Sequence, residues 1–443
     1  MKIQTLISVL LLSMGASIAQ GQALPTAESS MASTLGPNLP NLDGVFHYSL
    51  SASEVIQLGY YGEGNTTYAT DLSGNAAYTS PNTTRPFSML FSGGVILAGQ
   101  SSGGTQSFWS ISASQGYVTR HWIFNISDSF SFLPQSPTTG LSGIAGVGDL
   151  GSIPIQGPGA GPIGDIITTS GNRIGNSVSG SAERTLTRNT SITGSGSWGV
   201  LHYLDSNADA GLDTSQVSGS VSLNQRIDAR SSVGVSGVYS TYSYSGNGSG
   251  LNTPDIETRG INVFYQRVLS RTLSANVSVG PQWVSSSNST LVPDSTDVAV
   301  TAGLSYSYQN VHAGVNYSRG VNNGSGVLPG ALTDAFSGSV GRNFGRDWVV
   351  GLTASYVHSA GLTQFLNGTS LVTSNATYDT VYGGAQVTRR LSPHFSAYAS
   401  YTAASQSSNN VIGPVTPTIL NNTFQTIGVG VTFTPRSTNL GQF

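Results

Sequence analysis

Apolar and polar residues alternate singly along much of this chain, most fully between Tyr378 and Ser405. On the second half of this stretch, Phe395, Ala397, Ala399, Tyr401 and Ala403 alternate with Ser396, Tyr398, Ser400 and Thr402. Because successive side chains of a strand point to opposite faces, the pattern predicts a strand with one apolar and one polar face. The short break at Leu391-Ser392-Pro393 contains a proline, which cannot extend a ladder. The stretch therefore predicts a β-hairpin.

The same hairpin pattern recurs from residue 177 onwards. Short turns are predicted at Arg188-Asn189, Asp228-Ala229, Ser270-Arg271, Gln309-Asn310, Gly345-Arg346 and Ser392-Pro393. The predicted strands are 177–187, 190–204, 215–226, 231–244, 257–268, 272–284, 297–308, 311–319, 332–343, 347–359, 375–390, 394–405 and 422–433. The predicted strands have lengths close to the ~9–11 residues that a tilted membrane-spanning strand requires, and some are a few residues longer.

The first part of the chain predicts further strands. From Val45 to Tyr61 a strand is predicted, with apolar residues on one parity: Phe46, Tyr48, Leu50, Ile56, Leu58 and Tyr60. Glu54 falls on the same parity, so a bulge or a turn is expected near Ser53, and the number of strands here stays open. Strands at 69–79, 86–98, 105–114 and 119–132 follow, with a turn near Gln115-Gly116. Counting from Val45 as one strand gives 18. We predict an all-β, transmembrane, antiparallel up-and-down β-barrel of 16–18 strands with both termini in the periplasm.

The connections at the other end of the hairpins are longer and rich in Asn, Gly, Ser and Asp: 205–214, 245–256, 285–296, 320–331, 360–374 and 406–421. Short turns at one end and long loops at the other are typical of an outer-membrane barrel. A sandwich or a propeller would also give short, regularly spaced strands. Neither explains the loop asymmetry together with an export signal and a low charge content.

Aromatic residues fall near both ends of the predicted strands. Tyr308, Trp348 and Phe395 lie beside short turns, and Trp283, Tyr317, Tyr356 and Tyr401 lie toward long loops. This placement predicts two interfacial girdles. The alternative is that these side chains pack on one another as in any sheet.

The composition agrees with a barrel whose outside faces lipid and whose inside faces water. Only 8% of the residues are charged, whereas roughly 25% is usual in soluble domains. The net charge of −3 carries no basic signature, so nucleic acid is not an expected partner. The absence of cysteine excludes thiol catalysis, thiolate metal sites and disulfides.

The first 19 residues have the form of a secretory signal peptide, with an apolar core from Leu6 to Leu12 and small residues at Ser17 and Ala19. Residues 20–43 show no period and are expected to form a flexible periplasmic lead-in. No later run of ~18 apolar residues predicts a spanning helix. The protein is therefore expected to be secreted, periplasmic or an outer-membrane barrel.

Taken together, the signal peptide, alternating strands, short turns, long loops and aromatic strand ends resemble porin-like outer-membrane β-barrels over residues 44–433. The final strand, FQTIGVGVTFTP, resembles the strand that such proteins present for assembly, although residues 434–443 follow it as a C-terminal extension. The resemblance implies a bacterial outer-membrane location. Its expected partners are outer-membrane lipids, the barrel-assembly machinery and small hydrophilic solutes, with a homotrimer as one possible assembly.

Two sets of residues are candidates for lining or narrowing a pore. Arg226 and Arg390 lie on the polar parity of their strands, near short turns. The Gly-, Pro- and Ile-rich segment 134–176 lies on the long-loop side, and porin-like proteins often fold one long loop inward. Asp149, Asp165 and Arg173 would then be the charges at the constriction. The alternatives are charged turns that stay hydrated at the membrane surface and an ordinary surface loop.

A catalytic barrel is not expected. The six histidines, at 47, 121, 202, 312, 358 and 394, lie beside no acid or serine at a specific spacing, and no cluster predicts a metal or a cofactor. The polar parity is mostly Ser, Thr, Asn, Gln and Gly, which predicts a lumen lined by neutral groups and passive diffusion of small hydrophilic solutes. The alternative is an adhesin or surface-recognition barrel that acts through its long loops, with a closed lumen.

Overall fold

The structure of the protein is a computed structural model. It describes residues 45–59, 66–80, 82, 84–98, 105–133, 172–204, 213–245, 254–322, 324, 328, 330–367, 370–373, 376–409, 423–435 and 438–439. The predicted signal peptide and the predicted lead-in lie outside these residues. No helix within the described ranges is long and apolar enough to cross a membrane.

The regular elements of the described ranges are strands. The first ten are β1 (Val45–Leu58), β2 (Thr66–Thr79), β3 (Phe87–Ala98), β4 (Thr105–Val118), β5 (Trp122–Leu133), β6 (Arg173–Thr185), β7 (Thr190–Tyr203), β8 (Asp213–Arg226), β9 (Ser231–Ser245) and β10 (Ile256–Val268). The others are β11 (Leu273–Ser286), β12 (Ser295–Tyr308), β13 (Val311–Asn322), β14 (Ala331–Phe344), β15 (Trp348–Gly361), β16 (Gln364–Asn367), β17 (Ser370–Thr373), β18 (Thr377–Arg390), β19 (Phe395–Asn409), β20 (Thr423–Phe433) and β21 (Thr438–Asn439).

The strands close into one antiparallel barrel of 18. Each strand from β1 to β14 pairs with the one that follows it in sequence. The strand β15 then pairs with β18, β18 with β19, and β19 with β20. The pairing of β20 with β1 closes the ring. The two short strands β16 and β17 form a separate hairpin, and β21 pairs with Val45 and Phe46. The predicted all-β barrel of 16–18 strands is confirmed at 18, and β1 is one strand without a break at Ser53.

Alternation along the strands places apolar residues outside and polar residues inside. On β9, Val235 is 48% exposed and Tyr239 is 41% exposed, whereas Ser236 and Ser240, each the next residue along the strand, are buried. A soluble protein shows the reverse arrangement, with apolar residues buried. A closed ring of strands with an apolar outside satisfies its backbone groups in hydrocarbon. The barrel therefore fits an outer-membrane location.

The aromatic girdles lie on the outside at both ends, as predicted. Tyr308, Trp348 and Phe395 are exposed beside short turns, and Trp283, Tyr356 and Tyr401 are exposed toward the long loops. Trp348 and Tyr356 are both on β15, eight residues apart. At the usual strand rise and a tilt of about 40°, this separation corresponds to roughly 20 Å across the membrane. The apolar band between the girdles matches the thickness of hydrocarbon that such barrels span.

The predicted turn at Gln115-Gly116 is wrong. The strand β4 continues to Val118, and the turn follows at Thr119–His121. The glycine reflects a close approach instead, since a Cβ at Gly116 would lie 2.7 Å from Pro86 Cγ. The N–H of Gly116 also donates to the Pro86 carbonyl at 2.7 Å. A glycine inside a strand can thus mark contact with a neighbouring backbone rather than a turn.

Three glycines on inward positions are covered by aromatic rings from the next strand. Gly94 lies directly opposite Phe108, Gly234 opposite Phe264, and Gly430 opposite Tyr398. A Cβ at Gly94 would lie 2.9 Å from Phe108 Cζ, and one at Gly430 would lie 2.5 Å from Tyr398 Cζ. The ring fills the space that the glycine leaves, which pins the register of the two strands.

The closing ladder between β1 and β20 is short. Its register runs from Leu50↔Phe433 to Leu58↔Gln425, whereas that of β18 and β19 runs from Thr377↔Asn409 to Arg390↔Ser396. Fewer ladder bonds hold the two ends of the chain together at this seam. Amides of 50–58 and 425–433 should therefore exchange with deuterium before those of 381–403. Hydrogen exchange followed by mass spectrometry on the folded barrel would check this, and equal protection of both regions would contradict it.

Candidate pore lining

The inward wall carries paired serine hydroxyls at directly opposite positions. Antiparallel pairing brings such β-carbons within about 5 Å, which suits two short hydroxyl side chains. The Oγ–Oγ distances are 2.6 Å for Ser51–Ser73, 2.6 Å for Ser127–Ser179, 3.0 Å for Ser129–Ser177, 2.7 Å for Ser195–Ser220, 2.5 Å for Ser197–Ser218 and 2.5 Å for Ser274–Ser305. Each hydroxyl retains further donor or acceptor capacity. The lining is thus neutral and able to exchange hydrogen bonds with water or a polar solute.

Charged side chains are few on the inward positions of the described strands. By the register of the strands they are Asp71, Arg173, Glu183, Asp297, Arg226 and Arg390. Three acids near the long-loop ends of their strands, namely Asp213, Asp334 and Asp379, take outward positions. These three therefore place no negative charge on the inward wall.

Arg226 and Arg390 take the inward parity that the sequence indicates, and they occupy equivalent places. Each is the last residue of its strand before a short turn. Arg226 Nε donates to the Asp228 carbonyl at 3.0 Å, and Arg390 Nε donates to the Ser392 carbonyl at 3.3 Å. Both guanidinium groups are exposed. They lie at the short-turn rim and are held there by the turn backbone.

The turn beside Arg226 is stabilised by an ionised carboxylate. The N–H of Arg230 donates to Asp228 Oδ1 at 2.5 Å. This hydrogen bond favours the charged form and lowers the pKa of the Asp228 carboxyl below its usual value. At neutral pH the Asp228 carboxylate thus stays charged within the turn whose backbone carbonyls hold Arg226.

The predicted constriction segment 134–176 lies largely outside the described residues, and so do Asp149 and Asp165. Its last residues, from Arg173 onwards, belong to β6 rather than to a loop. Arg173 pairs with Leu133 of β5 and with Tyr203 of β7. Its backbone therefore lies in the barrel wall, and a constriction formed by Asp149, Asp165 and Arg173 stays a prediction.

Burial along the inward wall increases toward the long-loop end. On β8, Thr214, Gln216 and Ser218 are buried, Ser220 is partly exposed, and Arg226 at the short-turn end is exposed. The same wall is therefore covered at the long-loop end and open at the short-turn end.

Two similar polar units lie on the outside near the long-loop girdle. In the first, Arg319 Nη1 and Asp334 Oδ2 are 2.5 Å apart, and the Tyr317 hydroxyl donates to Asp334 Oδ1 at 2.7 Å. In the second, the Tyr356 hydroxyl donates to Asp379 Oδ1 at 2.7 Å. Charges and tyrosine hydroxyls at this height meet the lipid headgroups rather than the hydrocarbon.

Two histidines each meet an aspartate that sequence spacing does not indicate. His202 Nδ1 lies 2.6 Å from Asp213 Oδ2, and His358 Nδ1 lies 2.8 Å from Asp379 Oδ1. The sequence hides both pairs because the acid lies on the neighbouring strand, 11 or 21 residues away. Within the described ranges, no group of three His, Asp or Glu side chains could hold a metal ion. Both pairs lie on the outside of the barrel, away from the lining.

No protein-family model matches this chain, and no curated protein matches it. Similar solved structures include OccK2 (OpdF) of Pseudomonas aeruginosa in complex with glucuronate, at a TM-score of 0.41 and 8% identity over 88% of this chain and 97% of that chain. OpdQ of the same species has a TM-score of 0.40 and 9% identity over 88% of this chain and 98% of that chain. The ferric-catecholate import receptor Fiu of E. coli K12 has a TM-score of 0.41 and 8% identity over 89% and 82%. The barrel assignment itself rests on strand pairing and burial.

Proposed function

We propose that the protein is an outer-membrane channel for the passive diffusion of small hydrophilic solutes. The observation that carries this proposal is the serine-paired, nearly uncharged inward wall inside a barrel whose outside is apolar. Barrels of 16–18 strands are wide enough to leave an aqueous lumen. Passage through such a lumen needs no chemical step, since pore width and a few charges decide what crosses.

The partners follow from the same proposal. The apolar band would contact outer-membrane lipids, and the barrel-assembly machinery would insert the chain. A homotrimer is one assembly compatible with a barrel of this size. The competing proposal, a surface-recognition barrel with a closed lumen, is favoured by the burial of the inward wall at its long-loop end.

Liposome swelling separates the two proposals. Vesicles that contain the folded barrel should swell in an iso-osmotic monosaccharide, more slowly in a disaccharide and least in a trisaccharide, because a narrow pore hinders larger solutes more strongly. Protein-free vesicles and vesicles with heat-denatured protein serve as controls. Swelling no faster than in the controls would favour the closed, surface-recognition barrel.

The two rim arginines should bias ion passage. Replacing both, as Arg226→Glu with Arg390→Glu, converts positive charges at the short-turn rim into negative ones. The cation-to-anion permeability ratio should rise roughly twofold, measured as a shift in reversal potential across a salt gradient. Arg389→Glu is the matched control, because Arg389 takes the outward position and lies over the Trp348 ring at 5.1 Å. An equal shift in the control would contradict a lumenal role for the pair.

A further inference from the structure

The tip of the β13–β14 hairpin leaves the barrel wall. The two strands stay paired up to Asn322↔Ala331. The pairing of β12 with β13, however, ends at Val300↔Arg319, although β12 continues to Ser295 alongside β11. The last residues of β13 therefore extend beyond their neighbour in the wall. We call the described residues of this tip (320–322, 324, 328 and 330–333) the inner flap.

The inner flap turns toward the lumen. The N–H of Val321 donates to Gln282 Oε1 at 3.1 Å. Gln282 belongs to β11 and takes the inward position beside Trp283, which is exposed on the outside. Because β12 lies between β11 and β13 in the sheet, this contact skips a strand. Only a tip that crosses the inner side of β12 can make it.

The inner flap rests on an apolar seat formed by inward side chains of β9 to β11. Val321 belongs to one buried cluster with Tyr242, Tyr244, Ile256 and Val284 of these strands, and Val292 of the β11–β12 connection joins the same cluster. A Cβ at Gly330 would overlap Ile256 Cδ1 and would lie 3.1 Å from Leu362 Cδ1. The φ angle of Gly330 is +74°, so both its backbone and its surroundings require glycine. Gly330 thus lies between Ile256 of β10 and Leu362, the residue that follows β15, on the inside of the barrel.

Hydrogen bonds order the inner flap internally and join it to its surroundings. Within the flap, Asn322 Nδ2 donates to Thr333 Oγ1 at 2.9 Å, and the N–H of Gly324 donates to Asn322 Oδ1 at 2.9 Å. Toward the next strand, the N–H of Leu362 donates to the Gly330 carbonyl at 3.3 Å. Buried hydrogen bonds of this kind are costly to break without water to replace them. The inner flap is therefore a fixed element that lies against the inner side of the wall.

We propose that the inner flap is a permanent constriction that sets the size limit at the long-loop end of the lumen. This inference rests on the proposed channel function. It assigns the narrowing to the β13–β14 tip and its seat on Ile256 and Gln282. The inner flap also explains why inward side chains of β9 to β11 are buried at the long-loop end, since it covers them.

The position of the inner flap can be tested by cross-linking, because the chain contains no cysteine. The pair Gly320→Cys with Gln282→Cys should be joined by a short bifunctional thiol reagent, because a Cβ at Gly320 would lie 3.5 Å from Gln282 Oε1. The matched control pair is Gly320→Cys with Trp283→Cys, because Trp283 is the next residue of the same strand but is exposed on the outside. Cross-linking in the control, or none in the first pair, would overturn the assigned position.

The constriction itself is tested by loosening the seat. The double variant Gln282→Ala with Ile256→Ala should shift the single-channel conductance to larger values and admit a larger sugar in vesicle swelling. Ile261→Ala should leave both unchanged, and heat-modifiable gel migration would confirm that each variant is folded. If the wild type conducts and the loosened variant keeps the same conductance and size limit, the constriction is wrong but the channel is not. A wild type that does not conduct overturns the channel and the constriction together. If the loosened variant does not fold, cross-linking the Gly320→Cys, Gln282→Cys pair decides, because a permanent constriction predicts no change in conductance and a moving tip predicts a lower one.

Discussion

Replacing Val221 by arginine is expected to cost about 2–4 kcal/mol of folding free energy, the range for a basic side chain near the midplane of a membrane barrel. Val221 lies in the middle part of β8 and is 58% exposed on the outside. In a soluble protein a charge at such an exposed position would cost almost nothing. Urea-induced unfolding in lipid vesicles, followed by heat-modifiable migration, would measure the loss.

The neighbouring residue supplies the matched control. Ser222 takes the inward position on the same strand and is partly exposed. Ser222→Arg should therefore cost less than about 1 kcal/mol, because an arginine there reaches water. If the outward variant proves as stable as the inward one, the assignment of outside and inside is wrong.

Gly234→Ala is expected to destabilise the barrel by about 1–3 kcal/mol, the usual cost of overpacking. A Cβ at Gly234 would overlap the Phe264 ring and would lie 2.5 Å from the Leu223 carbonyl oxygen. Because one of these neighbours is backbone, the added methyl group cannot be accommodated by a side-chain rotation alone. The same unfolding measurement applies.

Gly237→Ala is the control for this substitution, since it lies on the same strand and a Cβ there meets no atom within 4 Å. Its stability should stay within about 0.5 kcal/mol of the wild type. Equal losses at both positions would mean that strand glycine in general, rather than the Phe264 contact, controls stability.

Alternation along single strands was sufficient to predict the barrel. The residues of β18 and β19 show their two faces without any knowledge of the neighbours, because the period of two is local. The girdles also follow locally, since Trp348 and Phe395 each begin a strand beside a short turn. Strand count depended only on whether β1 was broken at Ser53.

Features that depend on register between strands could not be predicted. Gly116 suggests a turn until its contact with Pro86, from the β2–β3 connection, is known. His358 and Asp379 come together because β15 pairs with β18, past the intervening β16–β17 hairpin. The inner flap shows the same limitation, because Val321 meets Gln282 across a strand that separates them in the sheet. The sequence instead suggested the longest loop as the constriction.

The most direct test of the central proposal is single-channel recording in planar lipid bilayers with folded protein. The proposed channel predicts stepwise conductance increments that persist without an applied ligand, since passive diffusion requires a lumen that stays open without one. Insertion must be established independently by heat-modifiable migration of protein recovered from the same preparation. Inserted, folded protein that gives no conductance steps would contradict the account.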